Sequence, residues 1–430
     1  MRSASEPKAR QPELKPADPA FFSKPPLSPA ELDIPVAIVE DLMLRSLYAK
    51  GGSSLRRLSQ SLKLSFPLLH AVFQDLRQQQ LFEVTGMEGN DYCFTLSGIG
   101  RERAAKSFLN CHYIGPAPVS VDSYRKAVSL QAARPVINRA LLRAAFSDLV
   151  LDARFIDELG PALVSQKSIF LYGPTGNGKT SVVSRLARIY LDAVAIPYAI
   201  EVDGQVIVVY DPAIHEKAGK DVEGFDPRWV LCRRPCLVVG GELQTQMLEL
   251  QLEAATRIYA APVQLRANNG ILVIDDLGRQ VVSPRLLLNR WIVPLDRRVD
   301  YLTLQYGLKF EVPFEMTVVF ATNLDPKDLA DEAFLRRIPN KIRVDDVGEK
   351  VFFRIFERVV HERRLVAPPE AASRLKDLCL QLGGHLRACQ PADIVDLIVS
   401  ISAFEGYDPE ISPDILDKAA RIYFGAPGES

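Results

Sequence analysis

The chain contains the run Gly173-Pro174-Thr175-Gly176-Asn177-Gly178-Lys179-Thr180, which fits G-x-x-x-x-G-K-[ST] at every fixed position. Glycines let successive backbone N–H groups turn inward as a nest for oxyanions. A lysine at the end of such a loop meets phosphate charge, and the hydroxyl after it can ligate Mg²⁺. Further on, Ile271-Leu272-Val273-Ile274 runs into Asp275-Asp276. The first acid can hold Mg²⁺, directly or through its water, together with Thr180. The second can orient or deprotonate an attacking water. A third apolar run, 317–321, ends in Thr322-Asn323. These residue types point to chemistry on a polyphosphate.

Such groups work only if strands and helices present them together. Ile169–Tyr172 is apolar and strand-length, and Val182, Val183, Leu186, Ile189 and Tyr190 have helical spacing over 181–191. Strand, loop and helix in that order argue against a chance glycine-rich turn. Ser181 opens the helix, whose N-terminus adds partial positive charge where phosphate would lie. Parallel strands present acids at their C-terminal edge, which suits Asp275 and Asp276 better than loop-opening caps do. Between the acid and polar strands, the spacing predicts a helix over 283–291 ended by Pro294, then a hairpin over 299–304 and 309–312. A second hairpin, 198–202 with 205–210 around Asp203-Gly204, precedes a strand over 236–239. It is either a contact surface or a sheet-edge decoration. A helix over 331–338 carries Arg336 and Arg337. Helices follow over 349–365, 370–382, 391–405 and 412–424, with Arg387 just before the third.

Upstream, residues 1–35 hold eight prolines and few large apolar groups, which reads as a disordered tail. Over 36–108 the pattern is helix, helix, helix, two strands and a closing helix, with Ser54 as a cap and a turn at 88–90. This resembles a winged-helix domain. Its third helix offers only His70 and Arg77 as cations, with Arg56, Arg57 and Lys63 nearby. That footprint is thin for DNA, so DNA contact stays open while protein docking or a structural role is favoured. Residues 111–122 read as a linker, and helices over 123–145 and 148–160 lead to the loop.

The 430 residues carry a formal charge of −1, so no global field draws the chain to nucleic acid or acidic lipid. Apolar runs are strand-length, so no membrane span is expected, and no apolar signal stretch lies near Met1. Six cysteines are scattered; Cys232 and Cys236 have no second pair at zinc-finger spacing, and reduced thiols in a cytoplasm are the reading.

The order of P-loop, Ile274-Asp275-Asp276, Ala321-Thr322-Asn323, Phe334-Leu335-Arg336-Arg337 and helical lid resembles an AAA+ ATPase over about residues 148–426. The resemblance implies an α/β P-loop NTPase parallel-sheet core (148–346) and a helical lid (347–430), preceded by the tail (1–35), the winged-helix-like domain (36–108) and a linker with helix (109–147). It implies ATP and Mg²⁺ as cofactors, ATP hydrolysis, and a homo-oligomeric ring, six subunits being one such number. It implies a protein client that is remodelled or assembled. Asn323 resembles the sensor-1 residue, Arg336 or Arg337 the arginine finger, and Arg387 a sensor-2 arginine that here precedes its helix. Asn268-Asn269-Gly270 and the hairpin before Ala321 look like MoxR-type remodellers and sigma-factor activators. Residues 274–278 resemble helicase loaders and transposition helpers, where a second Asp is normal. A DNA-binding loader with ATP-controlled assembly and a nucleotide-gated scaffold with little turnover are the rival readings.

Lys179→Ala is expected to abolish ATP binding or hydrolysis while leaving far-ultraviolet circular dichroism unchanged. Parent-like binding and turnover would remove the P-loop assignment.

Overall fold

Near the N-terminus, Val36–Lys50 is a helix that buries Val39, Leu42, Met43 and Leu47 and stops at Gly51, whose φ of 83° a side chain would strain. Ser54 caps Leu55–Leu62 by accepting the Arg57 N–H. Phe66–Gln78 follows, then the hairpin Phe82–Glu88 with Asp91–Leu96, and Gly98–Asn110 closes the unit. Ser53–Ser54 adds to the Asp91–Leu96 edge. Phe73, Phe82 and Phe94 meet at its centre, with ring centroids 4.5–5.6 Å apart.

The computed structural model describes residues 24–89, 91–132, 137–219, 224–281, 283–329 and 332–425. Residues 1–23 of the expected tail, Asn90 of the expected turn, 133–136 of an expected helix, Asp331 and residues 426–430 of the lid lie outside them. From Lys24 on, the tail reading is corrected. Pro29–Glu31 is a 3-10 turn and Ile34 is buried. The Asp33 carboxylate accepts the Ser120 N–H and pairs with Arg228 at 2.6 Å. Arg228 is buried and also grips Asp226, itself 0% exposed, so the guanidinium draws this segment onto the body. The linker reading is corrected likewise. Val119–Ser120 joins a sheet in parallel with Ala199–Val202, Tyr113 and Ala117 are buried, and the His112 N–H bonds the Thr256 carbonyl.

That sheet belongs to a β-rich unit inserted between the P-loop helix and the core. Its order is Gln251–Glu253, Ile258–Ala260, Gln205–Val208, Ala199–Val202, Val119–Ser120. A separate pair, Ala193–Pro197 with Trp229–Arg233, lies beside it. The 299–312 hairpin packs one face on the insertion, while residues 305–309 at its tip stay exposed. Its Leu302, Leu304, Phe310 and Val312 share one buried cluster with Ile200, Ile207 and Tyr259 of the insertion. The Tyr306 hydroxyl donates to Asp203 at 2.6 Å, and the Gln305 N–H donates to the Tyr259 hydroxyl at 3.0 Å. Ala199 and Val206 of the insertion in turn pack into the N-terminal core beside Phe73 and Phe94.

The residues expected to act on phosphate sit at a separate five-stranded sheet: β1 Ile169–Tyr172, β2 Cys236–Val239, β3 Ile271–Ile274, β4 Thr317–Thr322 and β5 Asn340–Arg343. All pairings are parallel, in the order β2-β3-β4-β1-β5. The four residues of β3 are each 0% exposed, as an apolar run between two sheet faces must be. Asn268 fastens β3 to β4 from below: its amide donates to the Pro313 carbonyl and to the Tyr124 hydroxyl, and its oxygen accepts the Glu315 N–H.

Three helix expectations are corrected. The P-loop helix is Lys179–Val183 followed by a 3-10 turn, Leu186–Ile189, because Arg185 and Arg188, three residues apart, both grip Asp148 at 2.7 Å. Pro294 does not end a helix; it lies in the first turn of a second one, Ile292–Arg297, where its missing N–H costs nothing. Arg336 and Arg337 follow the helix Glu332–Leu335 rather than riding on it, since Ile338 precedes Pro339 and is steered away from helical backbone. The lid is Glu349–Glu362, Ala371–Gly383, Gln390–Glu405 and Pro413–Phe424 around Phe352, Leu375 and Ile394. No described helix is long and apolar enough to cross a membrane.

Arg228→Met should cost about 3–5 kcal/mol in urea unfolding, because it leaves Asp226 charged and buried without its partner. A loss under about 1 kcal/mol would show that the pair does not anchor residues 24–35.

Candidate functional site

The P-loop leaves the C-terminal end of β1 with Gly173 at φ 137°, and Gly176 and Gly178 both at 82°. A Cβ on Gly173 would lie 2.2 Å from the Val344 carbonyl oxygen, and one on Gly176 would lie 2.8 Å from Cys389 Sγ. Glycine is therefore required at both positions by backbone angle and by close approach. Lys179 Nζ donates to the Gly173 and Pro174 carbonyls, each at 2.8 Å. Burial holds its pKa below the ordinary lysine value, and the charges of Asp275 and Asp276 work against that shift. A lysine held on carbonyls beside two acids remains a cation that phosphate oxygens can take over.

The acids come from the neighbouring-but-one strand. Because β4 lies between β1 and β3, the ends of all three strands converge on one edge. There the Thr180 hydroxyl donates to Asp275 Oδ2 at 2.8 Å. Asp276 follows in an exposed turn with φ 51°, its N–H donating to Asp275 Oδ1 at 2.9 Å. Gln280 donates to the Asp275 carbonyl and accepts the Gly278 N–H, which closes that turn. The β4 end is fastened to the same turn: Thr322 Oγ1 donates to the Leu277 carbonyl, and the Leu277 N–H donates to the Ala321 carbonyl. Asn323 comes next, and its Oδ1 is buried without a hydrogen-bond partner. An orphaned acceptor just past the end of β4, the strand next to β3, suits a water.

The lid reaches this edge too. Arg387 lies against the P-loop, its Cδ 3.4 Å from where a Cβ on Gly176 would stand. The Cys389 N–H donates to the Gly176 carbonyl at 2.9 Å. Asn177 bonds Asp346 and the Ala388 N–H. Beside the loop a cavity of 860 Å³ is lined by Leu151, Phe155, Tyr172, Val182, Val344 and Val347 among others. Its size and mixed lining suit a nucleoside. Pro174, Thr175 and Ser181 complete the loop without side-chain contacts that distinguish them. Sequence reasoning did not find Asp346, Cys389 or the cavity. Their only signal was the position of Arg387, too general to draw the lid loop onto Gly176.

Arg336 and Arg337 lie apart from these groups. The Arg336 side chain is 77% exposed and pairs with Glu332, itself 84% exposed. The Arg337 side chain is 29% exposed and pairs with Asp296 at 2.7 Å. In the N-terminal unit, the exposed Arg57 pairs with the exposed Glu88 at 3.0 Å.

Residues 348–422 match a family model described as "Domain of unknown function (DUF8689)". No curated protein matches the chain. Among solved structures, a RuvB variant of Thermotoga maritima shows 15% identity and a TM-score of 0.36 over 71% of this chain and 73% of its own. The Thermotoga maritima RuvB Holliday junction branch migration motor shows 14% identity and a TM-score of 0.35 over 68% and 72%. At these low values neither neighbour decides anything about this chain.

Because asparagine, like aspartate, tolerates left-handed backbone, Asp276→Asn should fold with parent-like stability. Asp276→Ala should lose about 1 kcal/mol more in chemical denaturation. Equal stability of the two variants would show that the turn does not hold residue 276 at positive φ.

Proposed function

We propose that the chain is an ATP-hydrolysing AAA+ protein acting as a ring, its P-loop core driving remodelling or assembly of a protein client. The observation that carries this reading is the Thr180–Asp275 hydrogen bond, which joins the phosphate loop to the acid strand at one sheet edge. Gly173 to Thr180, with Ser181 behind them, would cradle the phosphates, and the cavity beside Tyr172 and Val344 would take the base. Thr180 and Asp275 would hold Mg²⁺, which when bound neutralises charge on the phosphate oxygens. Asp276 accepts a proton from the attacking water, and Asn323 offers its unpartnered amide oxygen to orient that water. Lys179 exchanges loop carbonyls for phosphate oxygens, and Arg387 supplies a second cation from the lid.

The neighbouring subunit completes the site with an arginine. Accessibility favours Arg336 for this role, since its exposed pair with Glu332 is worth little and breaks readily. Arg337 is more enclosed and fixed to Asp296. The client is engaged through the N-terminal unit and the exposed tip of the 299–312 hairpin, residues 305–309. Protein docking fits the N-terminal unit better than DNA, given how few cations its third helix offers.

Steady-state turnover tests the reading. Parent protein with Mg²⁺ should hydrolyse ATP, and Asp276→Asn should slow it by roughly 10²-fold while ATP still binds. Unchanged turnover in Asp276→Asn would move the base elsewhere. Arg336→Ala and Lys179→Ala should each be nearly inactive alone. Mixed, they should regain partial activity, since a finger supplied in trans is worth on the order of 10³-fold. If mixed rings form and activity returns only with Arg337→Ala in place of Arg336→Ala, the finger is Arg337.

A further inference from the structure

Asn177 stands apart from its neighbours in the P-loop. Thr175 and Thr180 are exposed, while Asn177 is 7% exposed, and its side chain is spent on the lid rather than on the loop. Its Nδ2 donates to Asp346 Oδ1 at 3.0 Å, in the segment that joins β5 to the first lid helix. Its Oδ1 accepts the Ala388 N–H at 3.2 Å, in the loop between the second and third lid helices. The Cys389 N–H reaches back to the Gly176 carbonyl beside it. Asp346 is held from the other side by His385, whose Nδ1 is 3.2 Å from Oδ2. The residue enclosed by these bonds is Arg387, lying against Gly176.

We infer that Asn177 is a positioning residue: it latches the lid loop 385–389 onto the P-loop and thereby sets Arg387 over the nucleotide phosphates. The inference rests on the reading of the P-loop as an ATP site. An amide is the side chain the place requires. One end must donate to a carboxylate and the other must accept a backbone N–H, which neither a hydroxyl of shorter reach nor an acid can do. Aspartate at 177 would keep the acceptor for Ala388 but set a second negative charge against Asp346. Because the latch residue lies within the phosphate loop, any shift of the loop on filling is passed to the lid without a long relay.

The test uses the full chain and ATP with Mg²⁺. Asn177→Asp should weaken ATP binding about tenfold in calorimetry, the scale of losing one hydrogen bond to a carboxylate. It should also speed hydrogen exchange at the Ala388 and Cys389 amides in the absence of nucleotide. Adding Asp346→Asn recreates the donor on the other side, so the double variant should recover both affinity and protection. A merely structural defect at 177 would not be repaired by a change at 346. Parent-like exchange and affinity in Asn177→Asp would overturn the inference, and so would failure of the double variant to recover either. If Asn177→Asp does not fold, Asn177→Ala removes both bonds without adding charge, and unchanged exchange at 388 and 389 overturns the inference there. A parent that does not bind ATP would defeat the proposed function instead, while the exchange measurement would still report on the latch.

Discussion

The parallel pairing of β3 on both of its edges is what the rest of the molecule depends on. Val239 is level with Ile274 on one side, and Ile274 is level with Phe320 on the other. With side chains of period two, a slip of one residue would turn every apolar group of β3 to the wrong face. It would also draw Asp275 away from Thr180. The register is protected by burial on both faces: Leu272 and Ile274 pack with Phe170, Trp291 and Phe320, while Ile271 and Val273 pack with Val182, Val183 and Ile342. Fully burying residues of this size contributes about 1.5–3 kcal/mol each, so a slipped strand has no competing arrangement of similar stability. The chemistry at the sheet edge is thus a consequence of packing in the sheet centre.

What could be read from the chain alone follows the range of the interactions involved. The P-loop, Asp275-Asp276 and Thr322-Asn323 were legible because each is a local run whose strand announces its own end. The lid helices were legible because four long amphipathic segments need only a 3.6-residue period. The break after Val183 was not, since it depends on Asp148, far upstream, gripping two arginines. Nor was the place of Arg336 and Arg337 beyond their helix, although Pro339 carried the hint. The strands Ala193–Pro197 and Ile258–Ala260 are too short for alternation to show, and exist because partners from distant segments pair with them. The contacts of Asn177 and Cys389 are the extreme case. They join residues some 210 apart, and nothing in either segment names the other.

The N-terminal unit shows how an ordinary-looking connection becomes structural. Residues 111–122 have the prolines and glycine of a tether, yet Val119–Ser120 completes a sheet and Ala117 donates its N–H to the Leu62 carbonyl. Asp33 adds a fastening from the opposite direction through Arg228 and Ser120. A single buried guanidinium therefore serves three segments that are remote along the chain: the end of the supposed tail, the supposed tether and the insertion.

The splinted hairpin gives the molecule a mechanical character of its own. Strand 309–313 is joined to β4 by the three residues 314–316, and β4 leads to Asn323. Its far end is splinted to the insertion by Tyr306 and Tyr259, and the insertion is packed into the N-terminal core. Movement of the hairpin against the insertion would have to break the Tyr306–Asp203 and Gln305–Tyr259 hydrogen bonds, so the two segments are tied as one lever at the end of the strand that leads to Asn323.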